Sequence, residues 1–171
     1  MICPTCGWDN LPGNEHCTYC RQDLTLLDRP CAGSRVERSL MEDRVSVLDL
    51  MPPSTILPET TVRQAIAMML ERNLGALLVV DENGMLIGIF TERDLLKKVA
   101  GIHVLYADMP VRSFMTPKPV TLAASDTLAF ALHKMDGGGY RHVPVVEAGK
   151  PVGIVSVRDM LHHITGLCQD G

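Results

Sequence analysis

The sequence predicts an α+β fold: two copies of one β-α-β-β-α unit related by a pseudo-twofold axis, behind a small metal-bound segment. Three observations carry this. Residues 47–165 are written twice. Helical and strand periodicities recur in the same order in each copy. Four cysteines stand in two C-x-x-C pairs near the start.

Bulk composition agrees. Apolar residues make up 46% and charged residues 21%, enough for a packed core. Aromatics are only 4%, so Val, Leu, Ile, Met and Ala must fill it. The net charge of -4 argues against a polyanion as partner. No apolar run reaches bilayer length, and MICPTCGWDN lacks the basic and apolar regions of a signal peptide. The expectation is a cytoplasmic protein with no membrane segment, in a compartment where clustered cysteines hold metal rather than form disulfides.

Residues 1–24 contain Cys3, Cys6, Cys17 and Cys20. Each C-x-x-C turns two thiolates toward one point, and Gly7 follows the first pair where a knuckle needs positive φ. Four soft ligands suit tetrahedral Zn²⁺, with iron the alternative. A segment this short buries no core, so metal would be its main source of folding free energy. The stretch CPTCGWDNLPGNEHCTYCRQDL resembles the zinc-ribbon family at Cys3, Pro4, Cys6, Gly7, Asn10, Gly13, Cys17 and Cys20. It departs at Arg21, where Gly is common. His16 is expected on the surface, and Cys31 and Cys168 as bystanders. In residues 1–46 seven acidic side chains face five basic ones, which suits a protein partner or a structural role better than a phosphate backbone.

Residues 25–46, with Pro30 and Gly33, read as a linker carrying a short helix near Ser34 to Glu42. The first copy then occupies 47–104 and the second 105–171. Val62, Ala65 and Met69 match Leu128, Ala131 and Met135, one face of a helix in each copy. Thr61 with Gln64 forms a capping box. ALLVV and VPVV are buried strands, DENG and EAGK hairpin turns, MLIGIF and PVGIV returning strands. Thr91 and Ser156 each open a further helix, toward Ala100 and Ile164. Neither copy buries its faces alone, so the two should pack together.

GIFTERDL and GIVSVRDM share Gly, a hydroxyl residue and an Asp at one spacing. Spacing alone favours helix capping, with Thr91–Asp94 and Ser156–Asp159 as boxes. The same geometry also serves a nucleotide, since a helix N-terminus attracts phosphate and an Asp one turn on accepts ribose hydroxyls. Arg141 and His142 would add positive charge. DGGGY lacks the Lys-Ser/Thr of a phosphate loop and reads as a helix terminator. His162 and His163 read as exposed helix surface.

With YRHVPVV and GKPVGIVSVRDM beside GALLVVDENGMLIGIFTERDL, residues 47–165 resemble a tandem pair of CBS domains. The resemblance implies a regulatory module, a homodimer, binding AMP, ADP, ATP or S-adenosylmethionine in two clefts. In one cleft Asp159 would hold ribose and Ser156 approach phosphate, with Thr55, Ile56, Gly75 and Ala76 framing the base. In the other, Asp94 and Thr91 take those roles, with Val120, Thr121 and Tyr140 around the base, and Arg141 and His142 facing phosphates. The first copy has Gly75 and Ala76 where the second has Arg141 and His142, and Leu78 where the family has Pro, so the clefts are unequal.

The expected function is a nucleotide-responsive regulator whose ribbon meets a protein partner. A rubredoxin-like iron carrier and a nucleic-acid-associated ribbon are the alternatives. No catalytic residues are expected: a four-cysteine site leaves no open metal position, and no nucleophile–base pair emerges.

Overall fold

The computed structural model describes residues 2, 3, 5–11, 14–24, 34–50, 52–99 and 106–169. Pro4, Gly13, Pro30, Cys31, Gly33, Ala100 and the expected 104/105 boundary lie outside these residues. The chain divides into two compact units, Met1–Arg38 and Ser39–Gly171.

Among the described residues of the first unit the buried apolar cluster is Cys3, Cys17 and Leu24, too few side chains for a hydrophobic core. Two isolated antiparallel bridges, Ile2–Asp9 and His16–Asp23, bracket the cysteine pairs. The expected short helix is α1 (Arg35–Glu42). Ser34 caps it: Glu37 N–H donates to Ser34 Oγ at 3.1 Å, and Ser34 N–H donates back to Glu37 Oε2 at 3.0 Å.

The second unit contains β1 (Thr55–Ile56), α2 (Val62–Glu71), β2 (Ala76–Val80), β3 (Leu86–Thr91), α3 (Glu92–Asp94), β4 (Thr116–Pro117), α4 (Leu128–Gly138), β5 (His142–Glu147), β6 (Lys150–Ser156) and α5 (Val157–Gln169). Strands β1-β2-β3-β4 form one sheet and β5-β6 a second. Both hairpins carry a register shift at the matching place, Val79/Val80 and Val145/Val146. The duplication is therefore written into the backbone irregularities as well as the side chains.

Helix signals behave as the sequence predicts. Thr61 and Gln64 form the full capping box of α2. At α4, Thr127 accepts from Phe130 N–H, and Phe130 has no group to return the bond. Val62, Ala65 and Met69, like Leu128, Ala131 and Met135, are buried. Gly139 ends α4 with φ 61, and Asn73 stands at the matching position after α2 with φ 53. Tyr140 N–H then reaches back to Met135 O at 2.9 Å, and Leu74 N–H to Met69 O at 2.8 Å. DGGGY is thus a helix terminator.

Three elements differ from expectation. The second copy's opening strand shrinks to one parallel bridge, Leu122–Val145. The helix opened by Thr91 is α3 for three residues and then winds wider, as a π-type turn, over Leu95–Val99. The helix opened by Ser156 runs on to Gln169, past Ile164.

The copies exchange their leading segments. Val45 and Ser46 donate N–H bonds to Asp126 O (2.8 Å) and Ala124 O (3.0 Å), while Leu128 N–H donates to Asp43 O (3.0 Å). The mirror set is Val111 to Thr60 O (2.8 Å), Arg112 to Pro58 O (3.2 Å) and Val62 to Met109 O (2.9 Å). Each lead thereby satisfies an N–H at the start of the other copy's helix. Side chains follow the backbone. Val45 and Leu48 lie in the core around α4, and Val111 and Phe114 in the core around α2. A third cluster, Ala76, Leu78 and Ile89 with Leu86 and Ile154, joins the two hairpins.

Candidate functional site

The four cysteines converge. Cys3 Sγ lies 3.6 Å from Cys20 Sγ, and Cys6 Sγ 3.6 Å from Cys17 Sγ. All four sulfurs fall within 4.8 Å of one another. A tetrahedron with arms of 2.3 Å has edges of about 3.8 Å, so the donor set fits a zinc-sized ion. Knuckle geometry is the cause. Gly7 N–H bonds Cys3 O and Arg21 N–H bonds Cys17 O, each at 2.9 Å. Gly7 has φ 72 and Arg21 φ 60, so Arg21 takes the left-handed position usually given to Gly.

Burial works against ionising Cys17, yet the N–H groups of Cys20 and Tyr19 and the Asn10 amide bring its thiol down to about 6. Trp8 N–H lowers Cys6, but burial and the three neighbouring thiols push it up to about 12. Four thiolates cannot all ionise at one point without a cation. Asn10, buried at 5%, donates to Cys17 Sγ (3.6 Å) and Trp8 O (3.0 Å) and accepts from Thr18 N–H (2.9 Å). Its role in clasping the two knuckles was not evident from spacing. Cys168 is exposed.

In the second unit a cavity of about 600 Å³ lies where the copies meet. Thr91, Asp94, Val120, Tyr140, Arg141 and His142 all line it, as does Gly75. The opening turn of α3 supplies the first two. The strand-to-helix step at β3 aims that turn inward, and Ala76 pairs with Thr91 across the hairpin. The terminator after α4 supplies Tyr140 and Arg141. Arg93 Nη1 donates to Gly139 O at 2.9 Å and ties the two ends together.

Asp94 is buried, at 6% exposure. Its Oδ2 accepts from Thr91 N–H (3.0 Å) and Thr91 Oγ1 (2.6 Å). Its Oδ1 accepts from Thr116 Oγ1 (3.2 Å) and pairs with Lys98 Nζ (2.7 Å). Asp159 is exposed, and its Oδ2 accepts from Ser156 N–H and Oγ, each at 2.7 Å. Both acids are therefore capping residues as well as site candidates.

The remaining candidates fall elsewhere. Gly75, expected to frame the base opposite Asp159, lines the Asp94 cavity; a Cβ there would meet His142 Cε1 and Nε2 at 2.8 Å. Ile56 packs in the core and Ala76 in the inter-hairpin cluster. Thr121 is absent from the lining, and its carbonyl accepts from Lys134 Nζ at 2.8 Å. Thr55, Ser156 and Asp159 also lie outside this cavity. His163 is not exposed helix surface: it is half-buried, with Nε2 2.9 Å from Ser39 Oγ. The sequence reading missed Arg93, Lys97, Thr116 and Lys118, which line the cavity. The LLKK run after Asp94 was the available signal for Lys97.

Four cations (Arg93, Lys97, Lys118 and Arg141) face two acids (Glu92 and Asp94) around the cavity. His142 is half-buried, and burial first of all lowers its pKa. Glu92 and Asp159 pull it up, while Arg141 and Arg158 add to the lowering. The ring is neutral near pH 7 and offers a donor or an acceptor rather than a charge.

The comparisons agree with this architecture. The family model for the CBS domain matches residues 47–101 and 111–166, and the chain belongs to the CBS-domain family. It is 36% identical over 155 residues to the CBS domain-containing protein CBSCBSPB5 of Arabidopsis thaliana; this covers 87% of the chain and 28% of that relative's length. Among solved structures it resembles the CBS domain protein PAE2072 of Pyrobaculum aerophilum complexed with AMP. The TM-score there is 0.63 and the identity 26%, covering 72% of this chain and 98% of that one. It also resembles the CBS domain pair of protein MJ0100 in complex with 5'-methylthioadenosine and S-adenosyl-L-methionine. That TM-score is 0.65 and the identity 27%, covering 72% and 96%. No helix among the described residues is long and apolar enough to cross a membrane.

Proposed function

We propose that this chain is a regulatory module that binds an adenine nucleotide in the cavity lined by Thr91, Asp94, Tyr140, Arg141 and His142. The supporting observation is that the capping pair Thr91–Asp94 and the pair Arg141–His142, one a cation and the other a neutral ring, come from different copies and face one space. Ribose hydroxyls meet Asp94, phosphate meets Thr91 and the basic side chains, and Tyr140 flanks the base. The surplus of cations favours AMP, ADP or ATP over the cationic S-adenosylmethionine. Asp159 and Ser156, with Thr55, Ile56 and Ala76 of the other copy, form a second seat. Because the cavity is walled by both copies, a ligand shifts the balance between their packing arrangements, and a partner reads that shift. The module acts as a homodimer.

The four-cysteine segment holds zinc through Cys3, Cys6, Cys17 and Cys20. The ion would order the two knuckles as a platform for a protein partner. The chain has no catalytic role of its own in this reading.

Thermal unfolding with AMP tests the proposal. At a hundredfold excess over Kd the ligand stabilises the fold by about 2.7 kcal/mol. Asp94→Asn should cut that gain. No shift with AMP, ADP, ATP or S-adenosylmethionine at saturation would sink the idea.

A further inference from the structure

We propose that Lys98 is an internal competitor for the seat at Asp94 and sets the affinity of that cleft for any ligand bearing a ribose-type vicinal diol. The inference rests on the reading that Asp94 receives the diol. An ionised carboxylate offers about four lone-pair positions. At Asp94 all four are in use: Oδ2 takes Thr91 N–H and Oγ1–H, while Oδ1 takes Thr116 Oγ1–H and the Lys98 ammonium. A diol donates two hydrogen bonds, so it enters only when two resident donors leave. The capping bonds from Thr91 hold the helix start, so Lys98 and Thr116 are the donors that yield.

The second copy provides an internal control. Asp159 carries the same two bonds from Ser156, and among the described residues no donor reaches its Oδ1. The counterpart of Lys98 there, four residues after the Asp, is His163. It is drawn aside to Ser39 Oγ (2.9 Å), which in turn donates to Asp43 Oδ2 at 2.5 Å. Among the described residues one carboxylate is filled and its twin is half open; Lys98 and Thr116 together make the difference, and His163 stands where a second Lys98 would be.

Lys98 can move. Its side chain is 41% exposed, and the Asp94 carboxylate it pairs with lines the cavity together with Thr116. Its other protons go to Phe114 O (2.7 Å) and Met115 O (3.2 Å), in the lead of the second copy. Diol binding therefore loosens Lys98 from that lead as well, which links occupancy of the cleft to the exchanged segment.

Adenosine is the probe, because it is uncharged and isolates the ribose. Titrated calorimetrically into the full chain, it should bind Lys98→Met about three- to tenfold tighter than wild type. Thr116→Val should show a smaller gain of the same sign. Lys150→Met, which removes an exposed cation outside the cavity lining, should show none. Should Lys98→Met fail to fold, Lys98→Gln reads the same quantity while keeping a donor for the two carbonyls. Equal or weaker adenosine binding to the Lys98 variant, with wild type still binding AMP, overturns the competitor role and leaves the nucleotide reading intact. Silence of wild type and all variants toward both adenosine and AMP overturns both.

Discussion

The imidazole of His142 lies against the backbone of Gly75, so close that a Cβ on Gly75 would stand 2.8 Å from the ring. One residue comes from each copy, and together they form part of the cavity wall. The absence of a side chain at residue 75 is what admits the ring.

Gly75→Val should therefore push His142 out of the wall. The atoms it meets are the far end of a side chain, so the fold should lose little stability, within about 1–3 kcal/mol for overpacking. The thermal shift produced by AMP should fall markedly. A full AMP response in Gly75→Val would show that the His142 position does not matter to the site.

The buried ring also predicts a pH dependence. Its folded-state pKa lies below the ordinary 6.5, with burial the main cause. The unfolded chain takes up the proton first as pH falls. The stabilisation is thus present in full above about pH 6.5 and is lost as pH drops through the lower folded value. Urea unfolding between pH 5 and 7.5 should show this loss in wild type and a flatter profile in His142→Gln. Matching profiles would exclude His142 as the source.

Met115 covers Gly88 closely enough that any Cβ there would collide with its sulfur, and Leu50 covers Gly153, where a Cβ would fall 3.1 Å from the Leu50 side chain. These are the two glycines of the duplicated GIFTERDL and GIVSVRDM lines. Gly88→Ala should destabilise by about 1–3 kcal/mol. Met115→Ala in the same chain should relieve part of that cost. A double-mutant cycle by denaturant unfolding measures the coupling, and strict additivity would show that the contact is not the cause.

Asn10→Ala should weaken zinc binding about tenfold or more, because groups that orient metal ligands carry that much affinity. Competition against a chromophoric chelator measures it. Metal analysis after growth with controlled zinc and iron supply should return one zinc per chain. Stoichiometric iron would favour a redox centre instead.

Much of the fold was legible because its signals are local. Thr61 and Gln64 lie one helical turn apart, and each cysteine pair closes its own knuckle, so their geometry follows from spacing. The sequence also displayed the duplication, since matching residues recur in order. The site was legible only in part. Thr91, Asp94, Arg141 and His142 stood out by type, yet Thr116 sits on a two-residue strand and Lys118 just past it, too short a stretch for any period to betray them.

By itself the sequence determined the repeated α+β unit, its helix caps, its buried faces and the four-cysteine donor set, because each depends on neighbours within a turn or a hairpin. Only the tertiary structure decided that the copies exchange their leads, that Gly75 faces His142 and the Asp94 cavity, and that, among the described residues, Asp94 is filled while Asp159 keeps one oxygen open. Those outcomes depend on which surfaces meet across the pseudo-twofold axis. A difference as small as Lys98 against His163 takes its meaning from the carbonyls, hydroxyls and carboxylates that packing brings within reach.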